Sequence, residues 1–143
     1  MIEITNHQTK TEIPLKEIKN EFERVMEKLE IQDKEISLVF VDNQEIQGLH
    51  QQFLGINEDT DVLSFPLADN PEDPFLGEIV VSAEKAEEEA KSRGHSFKEE
   101  LLLYSIHGLL HLLGYDDHKE EDRKEMEETQ LSLLRFLGYQ NIL

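Results

Sequence analysis

Apolar residues recur at three- and four-residue steps through Leu15, Ile18, Phe22, Val25, Met26 and Leu29, the period of a helix with one buried stripe. Pro14 sits where such a helix can start. Ahead of it, Met1–Ile4 alternates apolar and polar residues as a short strand does. Ile36–Val41 (ISLVFV) is rich in β-branched residues and predicts a buried strand. Asp42 or Asn43 can cap a short helix through Ile46, Leu49 and Phe53 that stops near Gly55. Val62–Phe65 reads as an extended segment, Ala68–Pro74 as a polar loop, and Ile79–Val81 as another strand. Ser82 can cap a helix running to about Arg93, with Gly94 just beyond it. Ser96 and Glu99 have the capping-box spacing and open a further helix. The last helix, roughly Glu120 to Leu137, turns Met126, Leu133, Leu134 and Leu137 inward. About four strands and five helices in irregular alternation predict an α+β fold, a small mixed sheet packed with helices.

The stretch Leu101–Leu113, LLLYSIHGLLHLL, breaks the amphipathic pattern because apolar residues occupy every side. It predicts a buried central helix. It carries His107 and His111 four residues apart, which puts both rings on one face with Cβ atoms about 5–6 Å apart. Two imidazoles so placed can reach one ion at roughly 2.0–2.1 Å each, as zinc requires. Gly114 can end the helix in a left-handed turn, folding Tyr115, Asp116, Asp117 and His118 back over the same face to supply a third ligand.

Composition narrows the chemistry. The 143 residues fit one compact domain over 1–143, and a chain of this length buries about 70% of its unfolded surface. No cysteine is present, which excludes disulfides, thiolate metal sites and cysteine nucleophiles. The opening MIEITNHQTK has no secretory pattern, and Leu101–Leu113 is too short to span a bilayer. A cytoplasmic location without membrane contact is expected. The 14 basic residues against 32 acidic give a net charge of -18, which argues against RNA held by a broad basic surface. Lys91, Arg93 and Lys98 are the candidates for a local cationic groove. No P-loop or GxGxxG occurs, so no nucleotide cofactor is expected.

Helical zinc peptidases place Glu directly after the first His as general base; here Gly108 stands there. An open zinc site can still acidify water and polarise a phosphoryl oxygen, so a metal-dependent hydrolase is the expected class. Ser64, before Phe65-Pro66, reads as satisfying backbone at a strand end. Asp116 has two readings, orienting a ligand histidine or a solvated turn residue. His7, His50 and His95 lack ligand-spaced neighbours and read as surface or capping residues.

HGLLHLLGYDDH (107–118) resembles the His-Gly-x-Leu-His-Leu-x-Gly-Tyr-Asp-His signature of the YbeY family, the bacterial metal-dependent endoribonucleases of rRNA maturation. Thr60-Asp61-Val62-Leu63-Ser64-Phe65-Pro66, Leu76-Gly77-Glu78-Ile79 and Gly94-His95-Ser96 are similar to further blocks of that family, in the same order. The resemblance implies one zinc ion on three histidines, hydrolysis of single-stranded RNA, processing of the 16S rRNA 3′ end and ribosome quality control. It implies His107 and His111 as the first two ligands. The family's third histidine falls six residues after the second, where this chain has Asp117, with His118 one later. His118 is the expected third ligand and Asp117 its rival, since a carboxylate also ligates zinc. The family's phosphate-holding Arg corresponds to Leu54, which has no guanidinium. Catalysis is then weaker, supported by another cation, or lost. The alternative to the enzyme is a ribosome-associated metal-binding factor with weak or no nuclease activity.

Overall fold

The computed structural model describes residues 1–55 and 60–139. Among these, four strands and five helices follow the order β1 (Ile2–Asn6), α1 (Leu15–Lys28), β2 (Glu35–Val41), α2 (Asn43–Leu54), β3 (Val62–Pro66), β4 (Phe75–Ser82), α3 (Ala83–Arg93), α4 (Phe97–Leu112) and α5 (Glu120–Phe136). The strands form one mixed sheet in the order β1-β2-β4-β3. β1 pairs parallel with β2, β2 parallel with β4, and β3 antiparallel with β4. This is the α+β architecture expected from the pattern.

The two-residue period of the strands sorts their side chains onto two faces. Ile36, Leu38, Phe40, Ile79 and Val81 join the larger core, with Ile18, Phe22, Val25 and Met26 of α1, the apolar residues of α4, and Met126, Leu133 and Leu134 of α5. Val41, Leu63 and Val80 face the other way and meet Ile46 of α2. β4 runs further than its apolar stretch Ile79–Val81 because it is interior and paired along its length. Phe75 opposes Glu35, and Glu78 opposes both Ser37 and Phe65. Backbone pairing, not burial of side chains, extends it.

α4 is the buried helix the sequence predicts. Leu101, Leu102, Leu103, Tyr104, Ile106, Leu109 and Leu110 are all in the core, and the helix contacts α1, α3, α5, β3 and β4. Ser96 caps its start, the hydroxyl accepting from the Glu99 amide at 3.2 Å. Asp42 caps α2, its carboxylate accepting from the Glu45 amide at 2.9 Å. Each satisfies a helix-terminal N–H that has no partner within the helix. No helix among the described residues is long and apolar enough to cross a membrane.

Candidate metal centre

His107 and His111 occupy successive turns of α4 with ring centroids 4.7 Å apart and planes at 79°. Their Nε2 atoms stand 3.2 Å from each other. Two zinc–nitrogen bonds of roughly 2.0–2.1 Å at a tetrahedral angle would put the donors about 3.3–3.4 Å apart, so the pair fits one such ion with little adjustment. On the other side of the first ring, His107 Nδ1 lies 3.1 Å from Oε1 of Gln130, a buried residue of α5. The His111 ring is held below the ordinary histidine value. Burial is the main cause and the neighbouring His107 the second, opposed by Asp117, a backbone hydrogen bond at Tyr115, and Asp116.

The helix ends at Leu112, with Leu113 as its C-cap. Gly114 follows with φ of 98°, a conformation that glycine adopts without strain. Its N–H donates to the His111 carbonyl at 3.1 Å and the Tyr115 N–H to the Leu110 carbonyl at 3.0 Å, the paired bonds of a Schellman ending. The chain therefore reverses over the histidine pair, as the spacing predicts. Asp117 Oδ2 comes to 3.7 Å from His111 Nε2. His107, His111 and Asp117 offer ligand atoms that all lie within 4.8 Å of one another. His118 belongs to a second group with Asp116 and Asp117. Its ring is 87% exposed, with Nε2 3.6 Å from Asp116 Oδ1. Asp116 also accepts from the His118 amide at 3.0 Å and so shapes the turn that carries both candidate third ligands. The recess beside the turn, about 330 Å³ in volume, is lined by Leu113, Gly114, Tyr115, Asp116, Asp122 and Glu125. Its carboxylates make it a poor seat for a phosphodiester.

Gly108 is turned into the sheet. A Cβ added there would meet Ile79 Cγ2 at 2.5 Å and Ser64 Oγ and Val62 Cγ2 at 3.1 Å each. A glutamate after the first histidine is therefore excluded by packing, which removes the peptidase base for a structural reason. Ser64 donates its hydroxyl to the Gly108 carbonyl at 2.9 Å, satisfying backbone as its position suggests.

The three cations proposed for an RNA groove are engaged elsewhere. Lys91 pairs with Glu87, Arg93 with Glu89 and Glu100, and Lys98 with Glu17 and Glu21. They do not form a free basic strip. Leu54, the last residue of α2, is 58% exposed, and the neighbouring Phe53 packs edge-on against Phe65 with centroids 5.4 Å apart. His7 is a surface residue bonded to Glu45 at 2.9 Å. His95 meets the capping reading, its N–H donating to the Ala90 carbonyl at 2.9 Å at the end of α3, and departs from the surface one. Only 11% of its side chain is exposed, and Nδ1 lies 3.0 Å from the fully buried carboxylate of Glu100. Gln130 was not singled out by spacing. The available signal was an amide in an apolar stripe, four residues after Met126 and three before Leu133.

Comparison with known proteins addresses the family. The family model described as Endoribonuclease YbeY matches residues 3–138. An endoribonuclease YbeY of Carboxydothermus hydrogenoformans is 47% identical over 103 residues, covering 72% of either chain. Another, of Caldanaerobacter subterraneus, is 39% identical over 151 aligned positions, covering 94% of this chain and 96% of the relative. The solution structure of TM1509 from Thermotoga maritima superposes with a TM-score of 0.66 at 33% identity, covering 96% of this chain and 91% of that one. A family match that spans residues 3–138, with relatives 39–47% identical, shows that this chain belongs to the YbeY endoribonuclease family.

Proposed function

We propose that residues 1–143 act as one metal-dependent hydrolase domain, a zinc-dependent endoribonuclease. It cuts single-stranded RNA in the maturation of the 16S rRNA 3′ end and in ribosome quality control. The observation that carries the reading is the convergence of His107 and His111 Nε2 atoms, 3.2 Å apart on a buried helix, in a chain of the YbeY family. One zinc ion per chain would rest on these two and on a third ligand from the turn. His118 is the proposed third ligand. Asp117, already beside the pair, is the rival. When bound, zinc supplies Lewis acidity toward a phosphoryl oxygen and lowers the pKa of water. The chain's own part is to hold the two imidazoles and to exclude a helical carboxylate base through Gly108. Ribosomal or small-subunit contact and a cytoplasmic location complete the proposal.

The same site supports a second reading, a ribosome-associated metal-binding factor with little nuclease activity. Leu54 favours it, since an exposed leucine offers no charge to a phosphate. So does the net charge of -18. Two measurements decide. The first is zinc content by elemental analysis for wild type, His118→Ala and Asp117→Ala. Loss of the ion in His118→Ala alone supports the three-histidine set, and loss in Asp117→Ala alone replaces it with the carboxylate. The second is cleavage of single-stranded and duplex RNA by wild type, His111→Ala and Leu54→Arg. Cutting of single strands that disappears in His111→Ala and rises in Leu54→Arg is the expected result. Zinc bound by wild type and Leu54→Arg, with no cleavage by either, would overturn the enzyme in favour of the binding factor.

A further inference from the structure

Gln130 poses a question that packing alone does not answer. It is 8% exposed on the face of α5 that carries Met126, Leu133 and Leu134 into the core. An amide at such a place, left without a partner, gives up its hydrogen bonds to water with nothing in return. An apolar residue would fill the stripe without that risk. The amide oxygen is 3.1 Å from His107 Nδ1, across 23 residues of sequence. A neutral imidazole carries one proton, on either nitrogen. Gln130 Oε1 can only accept, so the contact is a hydrogen bond only when that proton is on Nδ1. Nε2 is then bare, and Nε2 is the atom that faces His111 Nε2.

We infer that Gln130 is a positioning residue for the metal centre: its amide oxygen holds the His107 proton on Nδ1 and keeps Nε2 free as a ligand. The inference rests on the metal-binding reading above for its consequence, but the tautomer itself is a property of the metal-free chain. An amide, unlike a carboxylate, orients the ring without adding negative charge behind the metal. α5 thereby takes part in the site through Gln130, from behind the His107 ring.

The test is nitrogen-15 NMR of the imidazole rings in metal-free protein near pH 8, with zinc titrations of the same samples. Wild type is expected to hold His107 with the proton on Nδ1. Gln130→Met keeps the length and suits the apolar stripe but has no oxygen. It is expected to give a tautomer mixture and zinc binding about 10–100-fold weaker, with a urea midpoint equal to or above wild type. Gln130→Glu retains the acceptor and is expected to restore both the tautomer and the affinity. Should Gln130→Met fail to fold, Gln130→Asn, one methylene too short to reach the ring, is expected to show the same loss. A wild-type His107 protonated on Nε2 would overturn the inference. So would an oxygen-free variant that keeps both the tautomer and the zinc affinity. Wild type that binds no zinc yet shows the Nδ1 proton, lost in Gln130→Met, would uphold the positioning and refute the metal reading instead.

Discussion

Gly108→Ala and Gly48→Ala are the same chemical change on two helices, and opposite effects on stability are expected. In a helix interior, alanine is favoured over glycine by about 0.8–1.0 kcal/mol. At Gly48, in the exposed middle of α2, nothing lies within 4 Å of the added Cβ, so that gain is realised in full. At Gly108 the methyl would sit 2.5 Å from Ile79 Cγ2 and 3.1 Å from two more side-chain atoms. Carbon pairs settle at about 3.5–4.0 Å, so α4 must rise from the sheet by roughly 1 Å. Overpacking of this kind costs about 1–3 kcal/mol, and the upper part of that range applies because Ile79 is fully buried with nowhere to move. After the propensity gain, a net loss of about 1–2 kcal/mol remains. With 143 residues the entropy of unfolding is about 0.3 kcal/mol per kelvin, so each kcal/mol moves Tm by about 3 °C. Calorimetry of the metal-free proteins is then expected to show Gly108→Ala melting about 3–6 °C below wild type and Gly48→Ala about 3 °C above it. A Gly108→Ala protein as stable as wild type, beside a stabilised Gly48→Ala, would refute the claim that close approach of α4 to the sheet requires the glycine.

Three more outcomes follow from the site and its surroundings. Free zinc at about 100 times its Kd is expected to stabilise the folded chain by about 2.7 kcal/mol, or roughly 8–9 °C in Tm. A chelator reverses this, and His111→Ala, which removes half of the pair, shows no such rise. In the metal-free chain, burial lowers the His111 pKa from the ordinary 6.5. As pH falls below 6.5 the unfolded chain takes up a proton that the folded chain refuses, so stability drops. The urea midpoint of wild type is expected to fall more steeply than that of His111→Gln between about pH 7 and pH 5.5; parallel curves would contradict the assignment. His95→Ala removes the close partner of Glu100 Oε1, while Oε2 has only Arg93 at 3.5 Å. Leaving this buried carboxylate short of donors is expected to cost about 1–3 kcal/mol in urea unfolding, and His95→Gln to recover part of it.

What could be read from the chain alone was what lies within one element. The alternation of Ile36, Leu38 and Phe40 marks β2 because strand side chains repeat every two residues. His107 and His111 can be paired on paper because a helix repeats every 3.6. The Gly114 reversal is local too, and so was foreseeable. Gln130 was not, since its bond to His107 spans 23 residues and joins two helices whose packing no spacing rule supplies. Of the surface and capping readings of His95, only the capping one holds, for a related reason. Its partner, Glu100, lies five residues on, beyond the Ser96 cap of α4, and a glutamate in a helix's first turn ordinarily faces water. The fate of Lys91, Arg93 and Lys98 depends on carboxylates brought from neighbouring turns and from α1, which a count of charges does not reveal.

The contrast between α4 and the turn that follows it bears on how an ion would come and go. The two histidines ride on a helix packed against three helices and two strands, so their mutual spacing survives any motion short of unfolding. Asp117 and His118, the proposed third ligands, belong to an exposed turn shaped by the His118 N–H bond to Asp116 at 3.0 Å and a looser His118–Asp116 contact at 3.6 Å. Such turns open at little free energy, while buried helices open only with the whole domain. If an ion is held as proposed, its release is expected to begin at the turn and its exchange to be a local event. A chelator is expected to strip the ion at a rate that mild urea, too weak to unfold the chain, leaves almost unchanged.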